Sequence, residues 1–294
     1  MAGEDFGQTS PQWWRGRSAL AAQTRVVAYI LLIGLSIIFM IPLLWMVSTS
    51  FKESTLIFRV PPVWIPPTVT LENYRRGWEL MIPSFGRLFS NTSIITVVSL
   101  VGTLVSSSLV GFAFAVYQAR GKRVLFAILL ATMMIPSQVT LIPQFILFAR
   151  IGWVNTWLPL IVPVMLAPAF FVFMFRQFFA TIPRDLLDSA EIDGCTPLGI
   201  YWKIAVPMAK PAFATAAVFA FLGSWNDLMG PLIYLTEMDK FTLTLGLANF
   251  QAVNYTMIQY LMPMALLALV PVLILFFAAQ KYYVQGIVTT GLKG

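Results

Sequence analysis

The chain has 294 residues, 59% of them apolar and 11% charged, with a mean hydropathy of +0.80; soluble domains carry about 25% charged residues. It has no histidine and one cysteine, Cys195, which excludes histidine triads, His/Cys zinc sites, histidine-ligated haem and an internal disulfide. The formal charge of +7 is better explained by basic residues flanking membrane spans than by a nucleic-acid partner.

Apolar blocks of about 20 residues or more have the length that crosses a hydrocarbon layer as a helix. The first, 26–47, follows a polar segment, 1–25, that contains Arg15, Arg17 and Arg25. It is too long for a signal-peptide core and no small-residue cleavage site follows, so it is expected to be a retained span with the N-terminus inside. An outer loop, 48–91, holds Pro61, Pro62, Pro66 and Pro67, too many prolines for long regular elements, and reads as a compact extramembrane lid.

Further blocks at 92–117, 124–147, 158–175, 211–235 and 260–279 bring the expected spans to six. The fold class is thus an all-α membrane protein, N-in and C-in. A membrane domain covers 26–280, with an inner loop at 176–210, an outer loop at 236–259 and a cytoplasmic tail at 281–294. The inner segments then hold Arg120, Lys122, Arg123, Arg176, Arg184, Lys203, Lys210, Lys281 and Lys293 beside the three N-terminal arginines. The outer segments hold fewer, Lys52, Arg59, Arg75, Arg76, Arg87, Arg150 and Lys240, as the positive-inside rule requires.

Pro136, Pro143, Pro159, Pro163 and Pro168 are expected to interrupt spans by removing backbone hydrogen bonds. Gly102, Ser106, Ser107 and Gly111 place small residues at helical spacing, which lets backbones approach. Cys195 reads as filler beside a turn, since no activating group accompanies it.

The inner loop 176–210 carries ordered signals. Pro183 suits the first turn of a short helix reaching Asp193, and Gly194 sits where a left-handed C-cap is needed. Thr196 and Pro197 then start a second short helix with Leu198, Tyr201 and Trp202. In this helical hairpin Leu186, Leu187, Ala190 and Ile192 offer an apolar face, and Asp185, Asp188, Glu191 and Asp193 offer acids. Such a helix fits a groove on a soluble partner; the alternative is a hairpin resting on its own bundle or on headgroups, and four acids disfavour an anionic lipid surface.

Asp188-Ser189-Ala190, three residues, Gly194, nine residues and Ile204-Ala205-Val206-Pro207 resembles the E-A-A-x3-G-x9-I-x-L-P signature of ATP-binding-cassette importer permeases. Asp for Glu at 188, Ser for Ala at 189 and Val for Leu at 206 are the departures. The resemblance runs from about Val26 to Gly294 and is to the second permease subunit of maltose-type sugar importers. It is carried by Pro62-Val63-Trp64-Ile65-Pro66, Leu71-Glu72-Asn73-Tyr74, Arg176-Gln177-Phe178-Phe179, Trp225-Asn226-Asp227, Gly230-Pro231-Leu232 and the ending from Val284 to Gly294.

The resemblance implies a bacterial inner-membrane machine of two different permease subunits, two cytoplasmic ATP-binding subunits and an external solute-binding protein. The solute would be a sugar, or in related importers a glycerol phosphodiester or polyol. ATP and Mg would sit on the ATPase partners: this chain has no G-x-x-x-x-G-K-[ST] loop, no catalytic residue or metal site is expected of it, and no cofactor. Leu186, Leu187, Asp188, Ser189, Ala190, Glu191, Asp193, Gly194 and Pro207 would belong to the ATPase-coupling hairpin, and Gly194→Asp is expected to uncouple transport.

An acid within a span is a functional candidate by default. Asp227, with Trp225 and Asn226, is expected either to line the solute pathway or outer gate, or to make an interhelical polar contact. Leu245, Gly246, Leu247, Phe250 and Gln251 make the last outer loop unusually apolar; by resemblance they dock the binding protein, and the alternative is a loop folded over the bundle. An ion-driven transporter would place ionisable residues in several spans, an intramembrane hydrolase needs a nucleophile with its base, and a scaffold has no need of the spaced hairpin signature.

Overall fold

The computed structural model describes the backbone of residues 13–254 and 257–291 and the side chains of residues 24–254 and 257–280. Among the described residues the chain has helices and no strands. It divides into two compact units between Thr70 and Leu71.

The first unit is built on α1 (Trp13–Ser50), which begins well inside the segment 1–25. From Thr24 to Ser50 it is long and apolar enough to span a membrane, with Ile30, Leu35 and Phe39 exposed. In water that row would be an untenable apolar patch; in lipid it is the expected outer surface. A single turn, α2 (Ser54–Ile57), follows. Trp64 then returns to the end of α1: its ring lies 5.2 Å from that of Trp45, and the Ser48 hydroxyl donates to its carbonyl.

The second unit begins with α3 (Glu72–Leu80) and α4 (Phe85–Val116). Arg75 and Arg76 donate to the Glu72 carboxylate at 2.7 and 2.9 Å, and the Arg75 hydrogen bond foremost holds it down at about 2. α4 starts ahead of the expected residue 92 because Phe85, Leu88 and Asn91 are buried, with Asn91 Nδ2 donating to the carbonyls of Asp239 and Phe241 at 2.8 and 2.9 Å. Arg87, Ser90 and Asn91 mask this turn in a hydropathy reading.

The third apolar block is not one straight span. It forms α5 (Lys122–Thr132) and α6 (Ser137–Arg150), bent by 95°. Pro136 caps α6 with extended backbone (φ −59°, ψ 133°); it offers no N–H to continue α5, and it biases Ile135 out of the helical region. Pro143, also expected to interrupt, lies inside α6 without ending it, since membrane helices tolerate proline when neighbours satisfy the freed carbonyl. With the bent pair counted, the described helices supply six candidate spans, and five without it.

The fourth block is broken at Pro163 and Pro168, into α7 (Leu158–Ile161), a 3₁₀ turn (Pro163–Met165) and α8 (Ala169–Phe179), whereas Pro159, also expected to interrupt, sits in the first turn of α7, where no N–H is needed. Next come α9 (Arg184–Ile192), α10 (Pro197–Ile200), a π turn (Tyr201–Ala205) and α11 (Val206–Met208). The unit ends with α12 (Lys210–Trp225), α13 (Met229–Tyr234), α14 (Leu243–Val253) and α15 (Ile258–Gly291). The side chains of the tail 281–294, and of Arg15 and Arg17, lie outside the described residues.

α4 packs on α8 at the centre of this unit. A Cβ on Gly111 would sit 2.7 Å from Phe175 Cβ and 3.0 Å from the Arg176 amide, so the small residue sets the helix approach. Gly111→Val is expected to overpack this contact at a cost of about 1–3 kcal/mol and to lower the thermal midpoint of the detergent-solubilised protein. Gly34→Val, on α1 where nothing lies within 4 Å of a Cβ, should leave it unchanged.

Candidate functional site

The 176–210 segment folds as a capped hairpin. Pro183 precedes α9 as its N-cap, one residue before the first turn. At the far end the Gly194 amide donates to the Glu191 carbonyl at 3.0 Å and the Cys195 amide to the Ala190 carbonyl at 2.9 Å. These two bonds with Gly194 at φ +80° form a Schellman stop, which glycine adopts without a Cβ penalty. Thr196 Oγ1 then caps α10 by accepting from the Gly199 amide at 3.2 Å, with Pro197 in the first turn.

The hairpin has two faces. Leu187 and Ala190 are buried with Ile200 and Tyr201 in a core shared with Phe112, Phe175 and Phe179. Ala190 is small because it lies under that packing, and Cys195 fills the core's edge. Leu186, Asp188, Ser189, Glu191, Asp193 and Gly194 are exposed; Ile192 at 87% and Leu198 at 62% exposure form an apolar tip. The Ser189 hydroxyl folds back onto the Asp185 carbonyl.

Tyr201 anchors the hairpin. It is 1% exposed, its hydroxyl is 2.6 Å from Ser108 Oγ on α4, and its ring lies 5.4 Å from Phe112. Burial pushes its phenol above the ordinary value, so it stays neutral and able to donate. The sequence marked Tyr201 only as a residue of the second helix; a lone tyrosine carries no signal of its partner 93 positions away. Pro207 explains the π turn before it, since it lacks the N–H that would reach the Lys203 carbonyl. The Val206 amide donates to the Tyr201 carbonyl instead.

Beside the hairpin, a cavity of about 340 Å³ is lined by Tyr117, Arg184, Asp188, Glu191 and Pro197 among others. Burial, and then the charge of Glu191, push the Tyr117 phenol up.

At the other end of the unit, Trp225 is buried and makes the interhelical polar contact that was one of its two expected roles. Its indole N–H donates to the Ala268 carbonyl on α15 at 3.1 Å, and its ring stacks on Phe221 at 5.2 Å. Asn226 is exposed at the end of α12. Asp227 Oδ1 accepts from the Gly230 amide at 3.1 Å, which caps the start of α13, and the residue also lines a second cavity, of about 200 Å³.

α14 lies within the expected outer loop, 236–259. Leu245, Gly246 and Phe250 are buried, and a Cβ on Gly246 would collide with the Leu88 side chain. The apolar character of this loop is therefore satisfied by its own bundle; Leu247 is half-buried, and Gln251 begins the exposed face. Nearby, Glu237 is held below the ordinary carboxylate range by Lys240 and then by the amide of Asn155, 2.6 Å away.

Residues 107–289 match the model of the family described as binding-protein-dependent transport system inner membrane component. The chain is 35% identical, over 92% of its length and 98% of the relative's, to the arabinooligosaccharides transport system permease protein AraQ of Halalkalibacterium halodurans. It is 30% identical, over 94% and 91%, to the diacetylchitobiose uptake system permease protein NgcG of Streptomyces coelicolor. Its fold matches a chain of a bacterial ABC transporter involved in the import of the acidic polysaccharide alginate, with a TM-score of 0.78 at 23% identity, over 89% of this chain and 97% of that one. Family match, relatives and fold agree with the apolar helices, and the chain belongs to the binding-protein-dependent transport system inner membrane components, as an ABC transporter permease.

Proposed function

We propose that this chain is the second permease subunit of an ATP-driven importer in the bacterial inner membrane and forms half of the translocation pathway for a sugar. The hairpin carries the reading. It buries one face in the bundle while presenting acids and the apolar tip of Ile192 and Leu198, the two-sided design of an element that seats in a partner's groove. The partner is a cytoplasmic ATP-binding subunit, present twice, holding ATP and Mg; this chain does no catalysis itself and binds no cofactor. Closure of the ATPase pair would move the hairpin and, through Tyr201, bias the bundle between two openings.

A different permease supplies the other half of the pathway and an external binding protein delivers the solute. The exposed C-terminal end of α14, Gln251 to Val253, is where a docking partner would meet this loop. The sugar assignment is supported by the substrates named for the relatives, arabinooligosaccharides and diacetylchitobiose. Both termini would lie in the cytoplasm.

Affinity purification from the native membrane, with mass spectrometry and an ATPase assay, tests this reading. A second permease and an ATP-binding subunit should come with the chain, and turnover should rise with binding protein and sugar. A chain recovered alone after gentle crosslinking would contradict it.

A further inference from the structure

The 200 Å³ cavity lies where two spans lose regular helical geometry. The fourth breaks at Leu166–Pro168, with Ala167 at φ +53°, and the fifth breaks between α12 and α13 at Asn226–Leu228. Irregular backbone at membrane depth persists only where it is buried in protein or lines a polar cavity. α4 satisfies part of the first break: Thr103 Oγ1 donates to the Val164 carbonyl at 2.8 Å, and Ser106 Oγ accepts from the Ala167 amide at 3.1 Å.

One turn away on the same helix, Ser99 is only 3% exposed, lines the cavity and has no hydrogen-bond partner for its hydroxyl. A buried hydroxyl without a partner has lost its hydration and gained no bond in return, a penalty that a ligand can relieve. Asp227 lines the same space, and an ionised carboxylate has about four acceptor sites, more than its cap bond to Gly230 uses. Phe171 and Phe219 supply apolar wall, and no lysine or arginine is among the lining residues.

We propose that this cavity is a subsite for one neutral sugar ring within this chain. Ring hydroxyls donate to Asp227 and exchange hydrogen bonds with Ser99, while the C–H face packs on Phe171 and Phe219. The cavity, of about 200 Å³, has room for a sugar ring. With no cation in its lining, the cavity rejects a uronate or phosphodiester, because an anion there would lose its hydration with nothing to pair it. The inference rests on the reading of the chain as a sugar-importer permease and deepens it to the class of solute.

Gly223 lines the cavity, and nothing lies within 4 Å of a Cβ placed on it, so a larger side chain there can fill the space without disturbing backbone. The assembled transporter, reconstituted with its binding protein, would be offered arabinotriose, lactose, diacetylchitobiose and an alginate trisaccharide. Gly223→Leu should cut import of the transported neutral sugar at least tenfold with unchanged co-purification of the ATPase, and Gly223→Ala should stay within twofold. Ser99→Ala should raise KM severalfold with kcat little changed. In a Cys195→Ser background, a thiol introduced as Gly223→Cys should react more slowly with a maleimide when that sugar is present.

Wild-type import through Gly223→Leu, a thiol equally reactive with and without sugar, or selective import of the alginate trisaccharide would overturn the subsite. If the unaltered chain brings no ATPase and imports none of the four, the sugar-importer reading itself fails and the subsite falls with it.

Discussion

Gly194→Val is expected to reduce solute import five- to thirtyfold while leaving the chain in the membrane, and Gly194→Asn to retain most of it. Gly194 sits at φ +80° with nothing within 4 Å of a Cβ, so the penalty is backbone strain and not collision. A left-handed residue with a Cβ costs roughly 1–2 kcal/mol, least for asparagine, and that range corresponds to a factor of about 5–30 in a population. The strain falls on the stop that ends α9, where the Gly194 and Cys195 amides bond to Glu191 and Ala190. Releasing it re-aims α10 and the exposed tip while the buried anchors Leu187 and Tyr201 stay in the bundle. Import rate and the amount of co-purified ATPase, measured for both variants, test this. Equal loss for Val and Asn would show that the left-handed geometry is not what matters.

Tyr201→Ala carries the largest expected loss of stability. Truncating a buried aromatic costs about 3–5 kcal/mol, and Tyr201 is nearly inaccessible between Phe112, Phe179 and Trp202. Tyr201→Phe keeps the ring and gives up the bond to Ser108, a net loss of about 0.5–1.5 kcal/mol; Ser108 keeps the Leu104 carbonyl as its acceptor. Thermal unfolding in detergent should order the proteins as native, Phe and Ala, with the larger gap before Ala. Import should follow the same order if Tyr201 transmits hairpin motion to α4. An Ala variant as stable as the Phe variant would remove Tyr201 from this role.

The hairpin was legible in the sequence because its signals are local: a proline before α9, a glycine at the left-handed stop, a threonine cap and a second proline act within one or two turns. Apolar block length announced the spans for the same reason. What was hidden depends on distant partners. The start of α4 at Phe85 is held by the carbonyls of Asp239 and Phe241, and α14 is helical because Leu245, Gly246 and Phe250 bury themselves in the bundle.

The contacts of Trp225 with Phe221 and with the Ala268 carbonyl on α15 leave no periodic trace. Nor does sequence say which proline breaks a span: Pro136 bends one by 95° while Pro143 stays inside α6. Ser99 is one of several hydroxyls on α4, and nothing local in the sequence marks it as the one that lines a cavity with Asp227.

The hairpin's partner can be tested directly by placing a single thiol at its tip. Ile192→Cys in a Cys195→Ser background leaves one cysteine on a side chain position that is 87% exposed, and a short bifunctional maleimide applied to native membranes reports what lies against it. An adduct with an ATP-binding subunit is expected, its yield changing when ATP is added, and none from Val253→Cys on α14. An ATP-binding subunit captured from Val253 and not from Ile192 would contradict it.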